Sequence, residues 1–208
     1  MHVTWHGHYT IRIQTASGVL VVDPYAPDVG LRPLRVQADA VLLSHPTDSQ
    51  TSHISAVQGK PVILSGPGEY QVRDMTINAI PWRANDNSER TVCRITIEKV
   101  SLINLGTLDR HMSDAELQEI EKTNVDVLFI PVGGSPSLSA EQAVKLITTL
   151  EPGMIIPIHF DLPNLKTKLA SVDNFVKEIG LKPVREKKVI IKQGRIPKED
   201  TEIVILSA

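Results

Sequence analysis

Histidines and carboxylates at the ends of apolar runs are the residues of this chain that could do chemistry. "WHGH" supplies His6 and His8, "VVDP" Asp23, and "LLSHPTDS" His45 and Asp48. "SGPGEY" supplies Glu69, "NLGTLDRH" supplies Thr107, Asp109 and His111, and "IPIHF" supplies His159. Imidazole nitrogens and carboxylate oxygens are ligands for divalent cations such as zinc. Strand ends are where rigid elements hand side chains to a shared pocket. One strand-end histidine alone is more often a hydrogen-bonded structural residue, but several strand ends carrying such groups point to a site. The stretch 42–53, "LLSHPTDSQTSH", has the form of a metal-site mouth, with a buried strand tip, then His45, then small polar residues. Thr47, Ser49 and Gln50 in that run are poor ligands for such an ion.

Other catalytic chemistries have less support. No Gly-x-Ser-x-Gly elbow surrounds Ser137 or Ser139. Gly133-Gly134 lacks the Lys-Ser/Thr pair of a phosphate loop and reads as a tight strand-to-helix turn. Cys93 is the single cysteine; it lies in the alternating run "TVCRITIE" and reads as a small core residue with no sign of activation.

The elements that must position these residues follow from periodicity. "HVTWH", "YTIRIQT" and "GVLVVD" are β-rich runs, with "ASG" (16–18) as a hairpin turn between the second and third. After the Pro-punctuated loop "PYAPDVGLRPLR", "ADAVLLSH" reads as a strand buried on both faces. "TSHISAVQG" reads as one or two helical turns closed by Gly59, and "PVILSG" as a strand. Hairpins are expected about Arg73-Asp74 and about Lys99. The period then changes. Ser113 with Glu116 forms a capping box for a helix over "SDAELQEIEK". Ser139 caps a second helix, whose Ala143, Leu146, Ile147 and Leu150 share one face. "SVDNFVKEIG" is a third helix, stopped by Gly180. "VDVLFIPVGG" and "GMIIPIHF" are strands between these helices, and "KKVIIKQG" and "TEIVILSA" are closing strands. This order predicts two sheets with helices packed outside them.

The 208 residues fit one domain, 1–208, and are 41% hydrophobic and 22% charged, enough to bury a core without staples. Net charge is −2 with dispersed basic residues, which argues against nucleic-acid binding. The basic run "REKKVIIK" (185–192) reads as a solvated edge. The lone cysteine, the N-terminus without a signal-peptide pattern and the lack of a long apolar segment lead us to expect a cytoplasmic chain off the membrane.

Taken in order, "TWHGHYTIRI", "VVDPY", "ADAVLLSH", "GPGEYQV", "NLGTL", "VDVLFIPVGG", "LSAEQAVKLI" and "IIPIHF" resemble the metallo-β-lactamase superfamily, in its ascorbate-phosphate-lactonase-like branch of metal-dependent hydrolases. The likeness runs the length of the chain and rests on order and spacing. It implies an α/β fold, the four-layer αββα metallo-β-lactamase-like sandwich. It also implies a His-x-His-x-Asp-His run after a buried strand, holding metal ions that lower the pKa of bound water to roughly 7. Further ligands in such relatives are a later His, an Asp after "LG" and a last His.

Set residue by residue on that pattern, His45 matches the first His. Thr47, Ser49 and Gln50 stand where His, Asp and His belong, and the later His falls near Ala84. Thr107 takes the place of the Asp after "LG". His159 matches the last His, and Phe160 follows it where relatives often have Tyr. Only His45 and His159 survive as metal-ligand positions. Two neutral imidazoles leave a dication's charge almost uncompensated, and replacing the Asp removes the group that would orient water. The residual cleft is therefore expected to comprise His8, Asp23, His45, Thr47, Asp48, Ser49, Gln50, Thr107, Asp109, His159 and Phe160. A remodelled set of His45, Asp48 and His159 is the rescue to look for. Asp48 and Asp109 otherwise read as turn caps, His53 as exposed, and Asp23 as a structural carboxylate beneath the loop.

The leading expectation is a catalytically impaired homologue, a pseudoenzyme with no cofactor and a binding or regulatory role toward a small molecule or protein. The alternative is an active hydrolase of a lactone, ester or phosphodiester, with zinc or another divalent metal in a remodelled site. Neither nucleic acid nor membrane is indicated as a partner; a homo-oligomer is compatible with the sequence.

Overall fold

The structure is a computed structural model that describes residues 1–122, 124–197 and 200–208. The first half is built from short strands: β1 (His2–Trp5), β2 (Ile11–Gln14), β3 (Val19–Val22), β4 (Val36–Gln37), β5 (Ala40–Leu43), β6 (Val57–Gln58) and β7 (Val62–Ser65). Next come β8 (Gly68–Val72), β9 (Met75–Arg83), β10 (Glu89–Ile97) and β11 (Val100–Asn104). The second half alternates: α1 (Asp114–Glu121), β12 (Val127–Pro131), α2 (Ala140–Leu150), β13 (Met154–Ile158) and α3 (Val172–Ile179). The chain closes with β14 (Val184–Glu186), β15 (Val189–Ile190) and β16 (Glu202–Leu206).

Two sheets face each other. One has the order β15-β1-β2-β3-β5-β7, the other β14-β16-β13-β12-β11-β10-β9-β8. The expected hairpins are present: Ile11 pairs with Val22, Val72 with Met75, and Ile97 with Val100. After the hairpins both sheets turn parallel, through β3, β5 and β7 in one and β11, β12, β13 and β16 in the other. β5 and β11 to β13 are buried at every position, as their unbroken apolar runs require.

The helices form where the caps predict. Ser113 with Glu116 and Ser139 with Gln142 both make reciprocal capping boxes, and α2 buries Ala143, Leu146, Ile147 and Leu150. These faces and Phe175 of α3 join the main core between and outside the sheets. On the far side of the six-stranded sheet the outer layer is thinner. There Val21, Val41 and Leu43 pack under Tyr25, Val29, Leu34, Val36 and Val57, carried by 3₁₀ turns and the β4–β6 ladder.

Two elements differ from expectation. "TSHISAVQG" makes a single 3₁₀ turn, Ile54–Ala56, and then a short strand, because Val57 has a buried place beside Val36 that a helix would forfeit. β7 is the strand expected over "PVILSG" and lies at a sheet edge, with Val62 and Ile63 exposed. "KKVIIKQG" keeps only Val189–Ile190 as strand, β15 at the edge of the six-stranded sheet, with Lys187, Lys188 and Lys192 exposed around it.

Candidate functional site

The carboxyl ends of the parallel strands of both sheets converge, and the chemistry-bearing residues lie just beyond them. Asp23 follows β3, Ser44 and His45 follow β5, Thr107 follows β11 and His159 follows β13. His8 sits in the turn between β1 and β2, which Thr10 closes through its N–H to the Gly7 carbonyl. Two backbone bonds clasp the sheets at this point: His159 N–H to the His8 carbonyl (3.2 Å), and Thr91 N–H to the Ser44 carbonyl (2.9 Å). His8, Asp23 and His159 all hold left-handed backbone, with φ of 51°, 45° and 50°. Such strain in non-glycine residues gathers where surrounding structure over-determines the conformation, often at sites.

His159 is fully buried. Tyr9 stacks on its ring at 3.9 Å between centroids, and His8 meets it edge-on at 5.0 Å. The Ser137 hydroxyl lies 3.1 Å from the Gly134 carbonyl oxygen and hydrogen-bonds His159 Nδ1 (2.9 Å), which leaves Nε2 as the free ring nitrogen. Neither His159 Nε2 nor His8 Nδ1 has a hydrogen-bond partner among the described residues. Burial pushes the His8 pKa down to about 4, against the pull of Asp48. Burial, then His8, pushes His159 well below the ordinary histidine value. Both rings are neutral at physiological pH.

Asp23 lies at the floor with no exposed surface. It accepts the Ser44 N–H (2.7 Å) and the Ser44 hydroxyl (2.6 Å). Burial raises its pKa to about 7, opposed by those two bonds and assisted by the Asp48 charge. Gly106 makes this packing feasible: its φ is +52° and a Cβ there would stand 2.6 Å from Ser44 Oγ.

At the rim, His45 is half-buried, its Nδ1 4.0 Å from Asp48 Oδ2. Burial and then the Arg90 charge lower its pKa, while Asp48, Asp86 and Asp109 raise it. Each of those carboxylates is already engaged. Asp48 accepts from Gln50 N–H and the Thr51 hydroxyl, the turn-capping role expected of it. Asp109 accepts from Asn85 N–H across the cleft edge rather than within its own turn, and lies 3.7 Å from Arg90. Asp86 accepts from Ser88 and from Arg90. Arg90 is buried over the Trp82 ring and donates to the Thr107 carbonyl (2.9 Å), so a fixed cation borders the position where the resemblance puts a carboxylate ligand.

The structure thus brings His8, Asp23, Thr107 and His159 into one buried polar cluster, with Tyr9, Ser44 and Ser137 added. Thr47, Ser49 and Gln50 are exposed on the outer side of their turn, contrary to their expected place in the cleft; Asp48 draws the turn about itself. Phe160 packs on Trp5 at 4.5 Å between ring centroids, as core. Ala84 is buried and has no ligating atom. His53 is half-buried, its Nε2 3.1 Å from Ser55 Oγ. Glu69 is exposed on the edge strand β8, and His111 is exposed beside α1. The rescue set of His45, Asp48 and His159 is not assembled: among the described residues no three His, Cys, Asp or Glu side chains come together in a way that could hold a metal ion. Tetrahedral zinc needs about three such protein ligands, so the donors present do not fit it.

Arg90, Tyr9, Ser44 and Ser137 were missed from sequence. Ser44 adjoins His45, and Arg90 closes the loop "PWRANDNSER", near whose Ala84 the later His of the pattern falls; neither has a residue type that marks a metal site. Among the described residues no helix is long and apolar enough to cross a membrane.

A family model described as a β-lactamase superfamily domain matches residues 2–159. A UPF0173 protein of Pyrococcus abyssi is 23% identical over 182 residues, covering 77% of this chain and 83% of its own length. A UPF0173 metal-dependent hydrolase of Ligilactobacillus salivarius is 25% identical over 208 residues, covering 86% of this chain and 93% of its own. Among solved structures, a candidate Zn-dependent hydrolase of the metallo-β-lactamase superfamily from Thermotoga maritima superposes with a TM-score of 0.81 at 28% identity over 100% of both chains.

Proposed function

From the premise that this chain belongs to the β-lactamase superfamily domain family, we propose that its strand-end pocket has become a metal-free polar core, and that the protein works by binding or regulation rather than by metal-dependent hydrolysis. The observation that carries this reading is the donor count. His45 and His159 stand at the two ligand positions, but the carboxylates around His45 are held by Arg90, Asn85, Ser88 and their own turn. Thr107, Ser49 and Gln50 offer neutral oxygens that bind a borderline cation weakly. Arg90 adds a positive charge that a dication would have to oppose.

A second reading has one observation in its favour. His159 Nε2 has no partner among the described residues and its Nδ1 is hydrogen-bonded to Ser137, the arrangement in which a second partner orients a ligating imidazole. With zinc or a similar ion bound there, the protein would be a metal-dependent hydrolase like its named relatives.

Metal stoichiometry separates the two. The purified chain is loaded with zinc, manganese or nickel, desalted, and measured by mass spectrometry of the metal. Retention far below one ion per chain is expected. Near-stoichiometric retention that is lost in His159→Ala would overturn the proposal. Restoring Thr47→His, Ser49→Asp, Gln50→His and Thr107→Asp together should raise retention.

A further inference from the structure

The Pro-punctuated loop 24–35 builds the wall of a second recess, beside the β1–β2 turn and apart from the buried polar cluster. Its volume is about 570 Å³. Leu31, Leu34 and Leu162 give it apolar walls, while Arg32, Arg35 and His6 bring cationic and polar groups to it. Among the described residues no Asp or Glu lines it. Among the described residues neither Arg32 nor Arg35 forms an ion pair, and both are exposed.

The recess is also built in advance of any ligand. The Tyr25 hydroxyl donates to the Arg32 carbonyl (2.8 Å) and pins the loop. Lys166 N–H donates to the Val29 carbonyl (2.9 Å), joining the two walls. Gly30 lets them meet: its φ is +97°, and a Cβ there would stand 2.1 Å from the Asn164 carbonyl oxygen. A side chain at 30 would force the walls apart.

We propose that this recess binds a small organic anion, an apolar body carrying a carboxylate or phosphate head that Arg32 and Arg35 grip. Guanidinium groups match both heads through paired N–H donors, and the leucine walls suit the body. The recess takes such an anion whether or not the strand ends hold a metal, so its test and the metal measurement can fail separately.

Isothermal titration with phenyl phosphate, benzoate and neutral benzyl alcohol tests it, with amide chemical shifts locating the site. At least one anion should bind saturably, weaken as salt is raised, and shift residues 31–35 and 162–164. The preferred head distinguishes a phosphate ligand from a carboxylate one. The double variant Arg32→Ala/Arg35→Ala should lose roughly tenfold or more in affinity, whereas Lys60→Gln, a charge removed elsewhere on the surface, should not. Absence of saturable binding by both anions, equal binding of benzyl alcohol, undiminished affinity in the double variant, or shifts mapping elsewhere would each overturn the assignment.

Discussion

Replacing Asp23 by Asn should change how stability depends on pH, by an amount the structure sets. The carboxyl is fully buried and its pKa stands at about 7, against an ordinary value of 3.8. The folded state therefore holds its proton more tightly than the unfolded state. The sign follows: stability is fullest below the unfolded pKa and is lost as pH rises toward the folded one. Each pKa unit corresponds to about 1.4 kcal/mol, so a shift of about three units amounts to about 4 kcal/mol. About 3 kcal/mol of that should develop between about pH 4.5 and about pH 8. Asn keeps the shape and carries no charge; its oxygen can accept the Ser44 N–H and its amide can donate to Ser44 Oγ. The assay is urea unfolding of both proteins across that range, comparing free energies at matched m-values. The buried histidines titrate in both proteins, so they cancel in the difference. The Asn variant should gain on the wild type steadily with pH. A difference that stays constant within about 1 kcal/mol would refute the reasoning, because it would mean that Asp23 ionises without penalty.

Three further outcomes are expected. In a histidine-resolved NMR titration the His8 ring should stay neutral until pH falls to about 4; since its folded pKa is depressed, its share of stability is present above the unfolded value and is lost on acidification, and a midpoint near 6.5 would contradict the burial. Gly106→Ala adds a Cβ 2.6 Å from Ser44 Oγ on left-handed backbone, which should destabilise by about 2–4 kcal/mol in denaturant; an unchanged midpoint would count against the packing of Ser44 on Asp23. Ser139→Ala removes the hydroxyl that accepts Gln142 N–H at the start of α2 and should cost about 1 kcal/mol, read as a lowered thermal midpoint.

The fold was largely legible because its signals are local. Alternation gave the hairpins, the capping boxes gave the helix starts, and the unbroken apolar runs gave the central strands. β15 and the 3₁₀ turn after His53 were less so, since both are decided by a partner far along the chain: Met1 and its neighbours for one, Val36 for the other. The site divides the same way. His8, Asp23 and His159 could be picked out as polar residues at strand ends. The burial of Tyr9 against His159 and of Arg90 against Thr107 could not, because an aromatic or an arginine near a strand reads equally well as core or as surface until the two sheets are set face to face. The expectation that Thr47, Ser49 and Gln50 face inward came from alignment with a ligand run; with neutral side chains nothing draws them in, and the turn follows Asp48 instead.

The bond from His159 N–H to the His8 carbonyl ties a loop of one sheet to a strand end of the other, between two residues whose backbones are both twisted out of their relaxed state. Neither loop can unwind without tugging its opposite number. The contour of the buried polar cluster is therefore decided when the sheets close, with the work of ordering already done by folding.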